Sequence, residues 1–186
     1  MTRPALRMRV KRRLKHPKEN VIPQNPYNPY AWIVGKPKIG EKTWIGAFCL
    51  IDGLGGLEIG KGCNISCGAH ILTHSTVRRC LSEGRYNTKD FAPTKLGEFV
   101  FVGENATILM GAEVGHHSVI GAGAVVKEYS KIPPYSLVVG VPGRVVRDLK
   151  KEAEALALGS RPGVSRNGSA SGPKKKRVAK LVKIGG

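Results

Sequence analysis

The chain has 186 residues and a formal net charge of +18, gathered at its ends: residues 1–20 hold eight Lys/Arg against Glu19, residues 160–186 hold eight against no acid, and residues 21–159 carry 15 basic and 12 acidic side chains. That length suits one domain with appendages, and a nucleic-acid-binding fold would show its charge on the folded face, so that reading weakens for the body and survives only for the tails. No apolar run approaches the ~20 residues that span a membrane, and the basic N-terminus lacks the apolar stretch of a secretory signal, so the expected compartment is cytoplasmic, with reduced thiols.

Residues 1–30 form a basic N-terminal segment. "MRVKRRLKH" suits a short basic helix, and "PQNPYNPY" reads as extended or turn. From residue 31 a six-residue rhythm begins: Ile33, Ile39, Ile45, Ile51, then after an eight-residue step Ile59, Ile65, Ile71. After a long gap it resumes at Leu96, Val102, Ile108, Val114, Ile120, Val126, Ile132 and Val138. All fifteen beats are Ile, Leu or Val, although those types make up only 44 of the 186 residues, so chance does not explain the run. Gly follows the beat at 40, 46, 60, 97, 103, 115 and 121, where a tight corner would need it. Four residues after the beat the side chain is mostly small, as at Cys49, Cys63, Ala69, Ala106, Ala112, Ser118 and Ala124.

A large aliphatic, a Gly corner and a small inward residue define the hexapeptide repeat of a parallel β-helix. Three hexads close one triangular coil of about 18 residues, and the aliphatics of successive coils stack into one core. The pattern therefore predicts an all-β solenoid of about five coils over 31–143, with a loop over 77–95 inserted. Loops of more than ~12–15 residues in a compact domain are usually functional or disordered. Val145, Leu149, Ala153 and Leu156 then fit one face of a helix over 144–158, which would cover the open end of the solenoid. Residues 159–186 read as a flexible basic tail ending "PKKKRVAKLVKIGG".

His74 stands where the rhythm breaks and the loop leaves. An imidazole can take a proton from a hydroxyl or ammonium near neutral pH. A lone surface histidine is the plain alternative, and its place at the loop favours the chemical one. Cys49 and Cys63 fall in the small inward column, and Cys67 and Cys80 form no CxxC pair, so a zinc-thiolate site is not expected. The tail "PKKKRV" is similar to a nuclear localisation signal. Basic tails can also contact nucleic acid or an anionic membrane, or simply remain solvated.

The stretch "IGKGCNISCGAHILTH", the loop, and "LGEFVFVGENATILMGAEVGHHSVIGAGAVV…VVGVPGRVVRDL" together resemble the hexapeptide-repeat acyltransferases, in particular the maltose and galactoside O-acetyltransferase branch. The resemblance covers roughly residues 39–150. It implies a left-handed parallel β-helix, a homotrimer with sites between subunits, and direct transfer of an acetyl group from acetyl-CoA to a sugar-like acceptor, with no metal. It implies His74 as the catalytic base and Asp52 as an acceptor contact. It also implies a coenzyme groove lined by Phe101, Gly103, Ala122 and Gly123, with Lys127, Arg144 and Arg147 meeting the phosphates. Two departures stand out: "AFCL" occupies the place of an expected acceptor-binding asparagine, and Phe101 that of a frequent tryptophan. The γ-class carbonic anhydrases share the fold and bind zinc through three histidines, which would cast His70, His116 and His117 as ligands, but their spacing here does not match. A non-catalytic scaffold that binds through its tails is the third reading.

Overall fold

The computed structural model describes residues 24–159, so the expected basic helix near residue 10 and the tail beyond 159 lie outside the described residues. Short strands follow one another around three sides of a prism. The first coil is β1 (Trp32–Gly35), β2 (Lys38–Ile39) and β3 (Trp44–Ile45), and the second β4 (Leu50–Gly53), β5 (Leu57–Ile59) and β6 (Asn64–Ile65). The third coil opens with β7 (His70–Ile71). It is interrupted by β8 (His74–Ser75), α1 (Val77–Leu81) and β9 (Asp90–Phe91), and closes with β10 (Thr94–Leu96) and β11 (Phe101–Val102). The fourth is β12 (Thr107–Ile108), β13 (Glu113–Val114) and β14 (Val119–Ile120), and the fifth β15 (Val125–Val126), β16 (Lys131–Ile132) and β17 (Ser136–Val139). Each coil adds one parallel strand to each of three sheets. Sheet A is β1-β4-β7-β12-β15, sheet B is β2-β5-β10-β13-β16, and sheet C contains β3-β6-β11-β14-β17.

The register explains the rhythm. Ile33, Ile51, Ile71, Ile108 and Val126 are direct neighbours in sheet A. The other ten beats form equivalent stacks in sheets B and C, and all fifteen pack into one core. Cys49, Cys63, Ala69, Ala106, Ala112, Ser118 and Ala124 are buried at the corners, where only a small side chain fits beside the turning backbone. Outward residues differ by sheet. Sheet B presents Lys38, Glu58, Lys95, Glu113 and Lys131 in alternating charge. Sheet A presents Trp32, Leu50, His70, Thr107 and Val125, and sheet C presents Trp44, Asn64, Phe101, Val119 and Leu137.

Two expectations need correction. The helix expected over 144–158 is confined to α2 (Lys150–Ala157), which buries none of its residues. Residues Arg144–Asp148 form instead a strand, β18, antiparallel to β17. The physical reason is the exposed edge of sheet C: its unpaired N–H and C=O groups are satisfied by a strand and not by a helix. The segment expected as a loop over 77–95 is also partly ordered, since β8 and β9 pair antiparallel and sheet B resumes at Thr94.

Candidate active site

His74 follows β7 at the corner between sheets A and B, where the insertion departs. Asp52 lies on β4, one coil earlier. Its side chain is 1% exposed, and the corner is built around it. The backbone N–H of Leu54 donates to Asp52 Oδ1 at 3.0 Å, and that of Thr73 donates to Oδ2 at 2.9 Å. Thr73 Oγ1 lies 2.9 Å from Oδ2 and 3.0 Å from the Asp52 carbonyl, either of which can take its proton, and it accepts from Gly55 N–H at 2.8 Å. His74 Nδ1 is 2.5 Å from the same Oδ2. Burial alone would push the Asp52 carboxyl up. The Leu54 and Thr73 N–H groups, His74 and the Thr73 hydroxyl overcome this and hold it below its ordinary value.

A carboxylate acceptor at Nδ1 fixes the tautomer. Nδ1 carries the hydrogen, and the lone pair of the neutral ring sits on Nε2. The imidazole is 27% exposed, so Nε2 can meet a ligand while Nδ1 is held inside. Phe91, across the β8–β9 pair, sets its ring centroid 6.0 Å from that of His74. The insertion is braced by Arg78, whose Nε lies 2.9 and 3.0 Å from the Asp90 carboxylate oxygens, whose Nη2 also donates to Asp90, and whose guanidinium sits 4.5 Å over Tyr86.

The structure thus brings His74 and Asp52 together but gives Asp52 a different neighbour from the one expected. Its carboxylate is enclosed and hydrogen-bonded to the imidazole, while the His74 ring is part-exposed. The expected coenzyme residues lie elsewhere on the same chain. Gly103, Ala122 and Gly123 occupy the corner between sheets C and A, with sheet A separating them from His74. A Cβ on Gly103 would lie 2.5 Å from the Ala122 backbone N, whereas one on Gly123 would meet nothing within 4 Å. That corner is tightly wound yet open outward. Phe101 points outward from sheet C, Lys127 is exposed at the His74 corner two coils on, and Arg144 and Arg147 are exposed on β18, with Arg147 Nη1 3.3 Å from Glu152 Oε1. His70 stands on sheet A, and His116 and His117 on the corner between B and C. Sequence reasoning missed Thr73 and Phe91. The available signal was their adjacency to the break: Thr73 immediately precedes His74, and Phe91 closes the insertion.

The comparisons with known proteins agree with this architecture. A family model described as bacterial transferase hexapeptide (six repeats) matches residues 93–128. A protein of Staphylococcus aureus (strain MRSA252), whose acetyltransferase name is itself inferred, is 33% identical over 143 residues, covering 75% of this chain and 68% of that protein. The chain belongs to the hexapeptide-repeat acyltransferase family. With membership come the left-handed winding that the resemblance implied and the standing of an acyltransferase. Among solved structures of the hexapeptide-repeat acyltransferases, the chain is similar to an acetyltransferase of Vibrio cholerae O1 biovar eltor complexed with acetyl-CoA, at 29% identity and a TM-score of 0.53. It is also similar to a maltose O-acetyltransferase of Clostridium difficile 630, at 28% identity and a TM-score of 0.50. The matches cover 61% and 60% of this chain; the chain spans only 60% of the Vibrio protein and 58% of the Clostridium protein. No helix among the described residues is long and apolar enough to cross a membrane.

Proposed function

We propose that the protein transfers an acetyl group from acetyl-CoA to a hydroxyl or amino group of a sugar or sugar-like acceptor, in the cytoplasm where that donor is available, with His74 as general base. The observation that carries the reading is the 2.5 Å contact between His74 Nδ1 and the buried Asp52 carboxylate, which places the lone pair of the neutral imidazole on Nε2. Nε2 takes the proton of the acceptor O–H or N–H as that atom attacks the thioester carbonyl. The carbon–sulfur bond of the tetrahedral intermediate then breaks, and the imidazolium returns the proton to the departing CoA sulfur. Asp52 stabilises the imidazolium between the two steps. Proton transfer of this kind contributes about 10²–10⁴-fold, and holding both substrates in one groove adds several kcal/mol of avoided entropy. The acetyl-CoA bound to the Vibrio relative and the maltose named for the Clostridium one support the choice of donor and acceptor.

The coenzyme groove is assigned to Phe101, Gly103, Ala122 and Gly123, with Lys127, Arg144 and Arg147 at the phosphates. Most of that set stands across sheet A from His74 of the same chain, which supports a homotrimer in which the groove of one copy faces the base of the next. The apolar outward residues of sheets A and C, against the charged ladder of sheet B, support the same arrangement. Sedimentation should give three times the chain mass of 20.0 kDa, and a single-chain mass would refute the shared site. Calorimetry on metal-stripped protein tests the function directly. Acetyl-CoA should bind in the micromolar range and lose that binding when Lys127 and Arg144 are changed to Ala. No binding by folded protein would overturn the reading.

A further inference from the structure

Phe48 is the most exposed Phe, Tyr or Trp of the described residues, at 72%, and Tyr30 beside it is 61% exposed. Both belong to the first coil, at the end of the prism where the described chain enters. Their rings stand 6.2 Å apart at the corner between sheets C and A. With Trp32 and Leu50 they flank a recess of about 310 Å³ whose lining holds no Lys, Arg, Asp or Glu. This tip is fastened to the coil. Asn25 Nδ2 donates to the carbonyls of Asn28 and Ala31 at 3.0 Å, Asn28 Nδ2 donates to the Ile45 carbonyl at 3.2 Å, and Phe48 N–H donates to the Tyr30 carbonyl at 2.9 Å. Phe48 also holds a φ of 62°, a left-handed conformation that a bulky residue adopts only at a cost. Burial of the ring does not offset that cost, because the ring stands in water. A rigid, uncharged aromatic tip left bare marks an interaction surface.

The charges around the tip restrict the partner. Residues 24–49 carry Lys36, Lys38 and Lys42 against Glu41 alone. Lys38 pairs with Glu58 at 3.0 Å, whereas Lys36 and Lys42 have no ion pair among the described residues. They stand at the other two corners of the first coil, so Lys36, Lys42 and Phe48 mark the three corners of one end of the prism. Residues 1–20, which join the chain at that same end, add eight Lys/Arg against Glu19. An apolar tip with cations set apart from it matches the layering of a bilayer surface, where aromatic rings rest at headgroup depth and Lys/Arg meet anionic headgroups. A single-stranded nucleic acid needs the opposite arrangement, with cations beside the rings so that phosphates run along the stacked bases. No Lys or Arg lines the recess.

We infer that the first-coil end of the solenoid docks on an anionic lipid bilayer, with Tyr30 and Phe48 entering the headgroup layer and Lys36, Lys42 and the cations of residues 1–20 meeting the lipid phosphates. The inference is independent of the acetyl-transfer reading. Its test is cosedimentation of the full chain with vesicles of phosphatidylcholine alone, and of phosphatidylcholine and phosphatidylglycerol in equal parts, at low and high salt. Partitioning should be about tenfold or more stronger onto the mixed vesicles and should weaken as salt rises. Tyr30→Ser combined with Phe48→Asn removes both rings without changing the charge, and Asn tolerates the left-handed backbone. This variant, its fold and assembly checked by circular dichroism and sedimentation, should partition about tenfold less onto the mixed vesicles. A second variant leaves the described fold untouched: Arg9→Gln, Arg12→Gln and Arg13→Gln together should weaken the same partitioning about tenfold or more. Equal partitioning onto both vesicle types would overturn the inference, as would either variant binding the mixed vesicles as well as wild type. A ring variant with an altered sedimentation coefficient would assign the tip to a contact between subunits instead. Binding of poly(dT) that the ring variant loses would assign it to nucleic acid.

Discussion

In Asp52→Asn, one carboxylate oxygen becomes an amide NH₂. The wild-type oxygens accept from Leu54 N–H on one side and from Thr73 N–H and His74 Nδ1–H on the other. An amide cannot serve both sides. With its oxygen toward Thr73 and His74, it sets NH₂ against the Leu54 N–H and leaves a buried donor unmade, a loss of about 1–3 kcal/mol of stability. Flipped, it satisfies Leu54 N–H but strands Thr73 N–H and forces His74 into the other tautomer, with the hydrogen on Nε2 and no base. The first orientation keeps both the Thr73 N–H and the His74 Nδ1–H bonds on the amide oxygen and should dominate. His74 then keeps its tautomer but loses the charge that stabilises its protonated form. A hydrogen bond to a charged group is worth about 1.5–3 kcal/mol, which corresponds to roughly 10- to 160-fold in rate. Steady-state kinetics with saturating acetyl-CoA should show that fall in kcat, with the KM for acetyl-CoA within about twofold, since Asp52 is not among the residues assigned to the coenzyme groove; these factors follow from the same conversion. A variant that folds normally and keeps kcat would refute the dyad.

Two further outcomes follow from the same geometry. The Asp52 carboxyl is held below its unfolded value, so the folded chain binds fewer protons between the two values, and stability is lost as pH falls through that window, starting near an ordinary carboxylate's value of about 4. The gap in Tm between wild type and Asp52→Asn, followed from pH 6 to pH 3, should therefore narrow toward low pH, and a constant gap would contradict the assignment. Ile108 is fully buried in sheet A between Ile71 and Val126, so Ile108→Ala should cost about 2–5 kcal/mol, read as a drop in Tm or in denaturant midpoint. A loss under about 1 kcal/mol would show that the stack relaxes freely, against the behaviour of close-packed cores.

The core was legible because coil closure imposes one period on chain and structure alike. Each beat from Ile33 to Val138 is the inward residue of a strand, and each stacks on the beat one coil away. The site was only half legible. His74 was marked by the break in the rhythm, but its partner was not. Asp52 and His74 are 22 residues apart, and they meet because the eight-residue step before Ile59 places Ile71 opposite Ile51, which brings the residues after each beat into one corner. Nothing in the hexad reveals that the carboxylate turns inward. The insertion was opaque for a related reason: the Arg78–Asp90–Tyr86 brace is made of side chains and follows no backbone period. The C-terminal segment misled because Val145 and Leu149 fit a helical face equally well, and the open edge of β17, which no local pattern records, decided for a strand.

The most direct test of the account is the rate of acetyl-CoA-dependent acetylation of a sugar panel by wild-type protein and His74→Ala, with acetyl-CoA binding to both measured by calorimetry. The account predicts equal binding and a rate lowered about 10²–10⁴-fold in the variant, the share that proton transfer supplies. A His74→Ala protein that binds acetyl-CoA and acetylates at the wild-type rate would contradict it.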